Sequence, residues 1–122
     1  MTIQTFDGPL YIGHPYGGKL ENVAIARSLS CAVRAYGVAT FSPLQESIGA
    51  EDTLSETEWL AHGLATLPAC RGIVLPDYWA VSYGCGEEHS LARYLHRPIY
   101  EWRLIDGVWV PPKTFLADYP LR

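Results

Sequence analysis

Residues 72–76, GIVLP, run without a polar side chain, and that stretch limits the fold of this chain more than any other. A strand with one wet face alternates polar and apolar residues, so an unbroken aliphatic run predicts a strand buried on both faces, as in a parallel sheet covered by helices. The following residues fit. A turn over 77–80 leads into VSYGCGEEHSLA, residues 81–92, and Leu91, Ala92 and Leu95 give that segment a helical period. With 122 residues, 48% of them hydrophobic, the chain predicts one domain over 1–122 with a single core.

The remaining segments alternate in the same way. Residues 9–13, PLYIG, predict a short strand, which the HPYGG of residues 14–18 breaks. Residues 20–35 carry helical spacing with Gly37 as the C-cap, and 38–41 predict a second strand stopped by Ser42 and Pro43. Residues 44–52 have no clear period and predict a loop, long enough to act as a lid. Leu54 to Leu67 predict a second helix, with Thr53 and Glu56 spaced as a capping box and Pro68 as its end. A fourth strand is expected over 98–102. The Asp106-Gly107 pair between RLI and VWV predicts a hairpin near 103–110, after which Pro111-Pro112 release a tail with little pattern. The expected architecture is therefore α/β: a doubly wound, mainly parallel, flavodoxin- or Rossmann-like sheet with right-handed crossovers, helices on both faces and a C-terminal hairpin. Such sheets bind ligands at the carboxyl ends of their strands, where loops 13–18, 42–52 and 77–88 would meet.

Charge and composition narrow the partners. A net charge of −4 and a pI near 5.4 leave no basic cluster to follow a nucleic-acid backbone, so a small molecule is the expected ligand. Cys31, Cys70 and Cys85 have no paired spacing, and the first two fall on apolar positions; reduced thiols and a cytoplasmic location are expected. No apolar run approaches the roughly 20 residues of a membrane span, and the N-terminus has no basic region followed by an apolar stretch.

Chemistry concentrates in residues 81–92. Gly84 and Gly86 let a backbone approach a ligand, and amides at a helix start attract anions. Glu88 sits one turn inside and faces whatever the turn holds, whereas its neighbour Glu87 has the role of a solvated charge at a helix start. Cys85 and His89 are four apart and share a helical face, but no second pair completes a metal set, and neither metal nor cofactor is expected. The GHPYGG loop lacks both the Walker spacing and the dinucleotide fingerprint. On it, His14 and Tyr16 are expected to be exposed, while Tyr11 is core or site depending on where it points. Trp79 lies where a ring can cover a base, and Arg27 and Arg71 are either solvated or within reach of a phosphate.

PLYIGHPYGG near the start, SP after the second strand, a Trp-bearing second helix, an apolar strand ending in LP, and SYGCGEEHSLA together resemble the nucleoside 2-deoxyribosyltransferase superfamily. The resemblance covers about residues 9–102 in unchanged order. It is nearest to the 2'-deoxynucleoside 5'-phosphate N-hydrolases and to small bacterial and phage relatives of them. The pattern S-x-G-x-G-x-E is filled by Ser82, Gly84, Gly86 and Glu88 without a gap. The resemblance implies that Glu88 is the nucleophile attacking the anomeric carbon and that Ser82 binds the 5'-phosphate. Tyr11 and Gly13, with Tyr16 and Gly17, would line sugar and base. The chain also departs from the family. A helix aspartate that assists the leaving base is Gly63 here, with His62 beside it as the substitute acid, and a second aspartate is Arg71. The resemblance further implies a homodimer or larger homo-oligomer, with residues 103–122 outside the shared region.

The implied reaction is cleavage or exchange of an N-glycosidic bond in a nucleoside or nucleoside 5'-monophosphate. A carboxylate suits it, because negative charge beside C1' stabilises an oxocarbenium-like transition state and then traps it covalently. His62, His14 or Glu46 would protonate the departing base. A nucleotide sensor without catalysis, or a structural protein in which the motif only makes a tight turn, would use the same residues differently.

Overall fold

The computed structural model describes residues 7–43 and 56–121. The expected lid over 44–52, the cap Thr53 and the candidate acid Glu46 lie outside the described residues. Strands β1 (Leu10–Ile12), β2 (Thr40–Phe41), β3 (Gly72–Pro76), β4 (Ile99–Ile105) and β5 (Val108–Val110) form one sheet in the order β2-β1-β3-β4-β5. The first four are parallel and β5 runs antiparallel to β4. The mainly parallel α/β expectation holds. Every residue of β3 is buried, which is why its sequence is unbroken by polar groups.

Helix α1 (Leu20–Arg34) buries Val23, Ala26, Leu29, Ser30 and Val33 along one stripe. It ends where predicted: the Gly37 amide donates to the Arg34 carbonyl at 2.9 Å, with Gly37 at a φ of 83° that favours glycine. Helix α2 (Glu56–Thr66) passes into a 3-10 turn over Leu67–Ala69, where Pro68 stops it. Helix α3 (Tyr83–Tyr94) follows β3 through a second 3-10 turn, Trp79–Val81.

Alternation along the strands sends residues to two cores. Leu10, Ile12, Val74, Tyr100 and Trp102 pack with Leu29 and Val33 of α1. Tyr11, Ile73 and Leu75 instead join Leu67, Cys70, Cys85 and Ala92 on the α2 and α3 side. Between β4 and β5, Asp106 and Gly107 have φ of 50° and 77°, the left-handed pair that a two-residue turn needs.

Three expectations are corrected. The tail is not patternless: helix α4 (Lys113–Asp118) follows Pro112 and buries Phe115 completely, edge-on to Trp102 with ring centres 4.8 Å apart. Cys31 is exposed on α1 and not on an apolar position, although all three cysteines are free thiols. Arg71 is held structurally, its guanidinium donating to the carbonyls of Asp7 and Gly8, whereas Arg27 is exposed. No helix among the described residues is long and apolar enough to cross a membrane.

Candidate functional site

A cleft of about 570 Å³ opens at the carboxyl ends of β1 and β3. These neighbours are followed by loops leading to α1 and α3, which pack in opposite cores, and a crevice forms where the two connections diverge. Its walls come from the loop after β1 (His14, Pro15, Tyr16, Gly17, Lys19), from Asn22, and from the segment Val81 to Cys85; Pro43 and Leu60 complete the rim. Tyr11 and Glu88 also line it.

Glu88 faces the cleft because it lies six residues after the N-cap, on the same side of α3 as Cys85. Its side chain is 6% exposed. Two glycines make room for the carboxyl. A Cβ on Gly13 would lie 3.2 Å from Glu88 Oε1 and 2.5 Å from Leu75 Cδ2, and a Cβ on Gly63 would lie 3.6 Å from Glu88 Oε2 and 2.2 Å from Tyr11 Oη. Neither position admits a side chain without displacing a buried neighbour. Burial pushes the Glu88 carboxyl up to about 7, against the opposing pull of the Tyr11 phenol and the Cys85 thiol. The group is thus close to half ionised at neutral pH.

Tyr11 is fully buried and still belongs to the site, so core and site are the same place for this residue. Burial first, and the Glu88 charge second, hold its phenol protonated. Its oxygen makes no hydrogen bond of normal geometry. Cys85 is likewise enclosed: burial and then the Glu88 charge push its thiol up to about 12, so it is no thiolate nucleophile at neutral pH.

Ser82 is the N-cap of α3, and its Oγ accepts from the Cys85 amide at 3.3 Å. The helix starts at Tyr83, which puts Gly84 and Gly86 inside the first turns and not in a loop before them. Gly84 lines the cleft, whereas Gly86 is outside the wall, in open space. By position, the amides of Tyr83 and Gly84 have no acceptor within the helix.

His14 departs from expectation in its exposure. It is buried, with Nδ1 against the Pro15 carbonyl at 2.8 Å and Nε2 against the Tyr78 hydroxyl at 2.6 Å. A carbonyl only accepts, so Nδ1 carries the proton; burial lowers the pKa of the ring, which leaves Nε2 to accept from Tyr78. Both ring nitrogens are therefore occupied. His62 is exposed on α2 and off the cleft wall, since its neighbour Gly63 is the residue turned inward. Trp79 is also off the wall: it stacks on His89 with centres 4.0 Å apart and donates to Glu101 Oε1 at 2.8 Å.

Lys19, Asn22 and Tyr83 were missed by sequence reasoning. Lys19 precedes α1 directly, and the N-terminus of a helix after a parallel strand faces the crevice, a signal sufficient to find it. Asn22 Nδ2 donates to the Tyr16 carbonyl at 2.8 Å and steadies the loop, which turns through left-handed Gly17 and Gly18. Among the described residues, no three His, Cys, Asp or Glu gather as a metal-binding set. Comparison with family models, curated proteins and solved structures gives no match.

Proposed function

We propose that the protein hydrolyses or transfers at the N-glycosidic bond of a nucleoside or nucleoside 5'-monophosphate, with Glu88 as nucleophile. One observation carries this reading: a buried carboxyl stands between two glycines that leave its oxygens clear, at the cleft that also receives the start of α3. In the first step a Glu88 oxygen attacks C1' as the base departs, giving a glycosyl ester. Water or a second base then takes the sugar. Ser82 and the free amides at the start of α3 suit a phosphate, and Tyr11, Tyr16 and Gly17 suit the sugar and base.

The finer architecture belongs to the same proposal. A doubly wound, flavodoxin-like sheet is supported by α1 and α3 packing in opposite cores, and a C-terminal hairpin by the antiparallel register of β4 and β5. A cytoplasmic setting, supported by three free thiols, and a homodimer or larger homo-oligomer are parts of it too. Sedimentation at micromolar concentration tests the assembly.

A second reading, a nucleotide sensor without catalysis, is favoured by Gly63. The position aligned with the family aspartate admits no acid while Tyr11 Oη stands 2.2 Å from where its Cβ would be. Incubation with nucleosides and nucleoside 5'-monophosphates separates the two. Base release that rises with pH as Glu88 ionises near 7, and that falls more than about 10³-fold in Glu88→Gln, supports the enzyme. Binding with no released base supports the sensor.

A further inference from the structure

The cleft is electrically uneven. Its one carboxyl among the described lining residues, Glu88, is buried, and its one lysine or arginine among them, Lys19, is exposed. Lys19 forms no ion pair with a described residue. It also stands at an unfavourable place for its own helix. As the N-cap of α1 its side chain caps no amide, and its charge adds to the positive end of the helix dipole. A residue that breaks a local rule without local compensation points to a task beyond the fold.

The two charges match the two ends of a phosphorylated glycoside. Positive charge develops at C1', which Glu88 would meet in the buried part of the cleft. A phosphate is costly to strip of water and suits the exposed wall instead. Ser82 offers that phosphate only a neutral hydroxyl, whose oxygen already accepts from the Cys85 amide at 3.3 Å. An ammonium supplies what the hydroxyl lacks, a full charge that an uncharged nucleoside does not use.

Resting on the reading of Glu88 as nucleophile, we propose that Lys19 is the specificity-determining residue of the site: its ammonium holds the substrate's phosphate, so that nucleoside 5'-monophosphates are preferred to the corresponding nucleosides. Lys19 takes no part in the bond changes at C1'. A lysine that protonated the departing base would serve nucleoside and nucleotide alike, and this difference separates the two roles.

The test assays base release by the full chain from purine and pyrimidine nucleosides, ribo and deoxyribo, and from their 5'-monophosphates, in the parent, Lys19→Gln and Lys19→Arg, with unfolding midpoints as the check on folding. The proposal expects kcat/KM for a monophosphate to exceed that for its nucleoside. That ratio falls about 10–100-fold in Lys19→Gln, through KM and not kcat, is largely restored in Lys19→Arg, and shrinks with added salt. A ratio unmoved in Lys19→Gln, or an equal loss of kcat with both substrates, as an acid would give, overturns the role of Lys19 and leaves the glycosidase standing. No base release from any of these compounds by the parent, or release that survives Glu88→Gln, overturns both.

Discussion

On one face of the sheet the described buried residues pack with α1 and α4, and Tyr100, Trp102 and Phe115 among them form an aromatic cluster against which the partly buried Tyr36 packs. On the other face the described buried residues pack with α2 and α3, and that cluster, which includes Tyr11, borders a buried carboxyl and an open cleft. The same three-residue strand supplies both, Leu10 and Ile12 to the first and Tyr11 to the second. Apolar burial stabilises without regard to pH, whereas burying Glu88 opposes folding whenever it is ionised. The contrast shows one face giving stability while the other holds a destabilising group, the one that the proposed reaction would use.

The contrast breaks most visibly on the aromatic face. Phe115→Ala removes a fully buried ring and is expected to cost about 3–5 kcal/mol, measured by urea unfolding, while ligand binding in the distant cleft persists in the folded fraction. The next effect has the opposite sign. Glu88 titrates near 7 in the fold against 4.5 unfolded, so its folded form binds the proton more tightly. Stability is fully present below about 4.5 and is lost as pH rises through about 7. Glu88→Gln removes that loss, so at pH 8 the variant should exceed the parent by up to about 3 kcal/mol, with the gap closing as pH falls toward 4.5. Unfolding curves at several pH values check this, and a gap independent of pH would show that the carboxyl is not desolvated.

The smallest effect sharpens the site itself. Gly63→Ala gains helix propensity of roughly 1 kcal/mol, yet its Cβ meets Tyr11 Oη, and a net destabilisation of about 1–2 kcal/mol is expected. Removing the hydroxyl relieves the clash, because Tyr11 Cζ would stand 3.5 Å away. Tyr11→Phe should therefore rescue Gly63→Ala in a double-mutant cycle, with a coupling near 1 kcal/mol.

Patterns carried by many residues were legible in the sequence. β3 has the bounds its apolar run predicts, α1 is fixed by its stripe and its C-terminal glycine, and the Asp106-Gly107 turn is local chemistry. Helix α4 was not legible, because six residues with one decisive aromatic form a helix only when Phe115 has a core to enter. The site divided in the same way. Glu88 and Ser82 followed from their places at a helix start, and both line the cleft. His14 was misjudged because a glycine-rich loop gives no sign that Tyr78, 64 residues away, receives its ring. Trp79 was drawn off by Glu101 of β4 and His89 of α3, pairings that only the tertiary fold creates.

The bond between His14 and Tyr78 reaches further than its two residues. It joins the segment leaving β1 to the segment leaving β3, on either side of the gap between adjacent parallel strands. The two loops that leave these neighbouring strands are thereby tied to each other by a partly buried bond. Under the proposed function, a guest bound there would lose less affinity to ordering those loops than if they were untied.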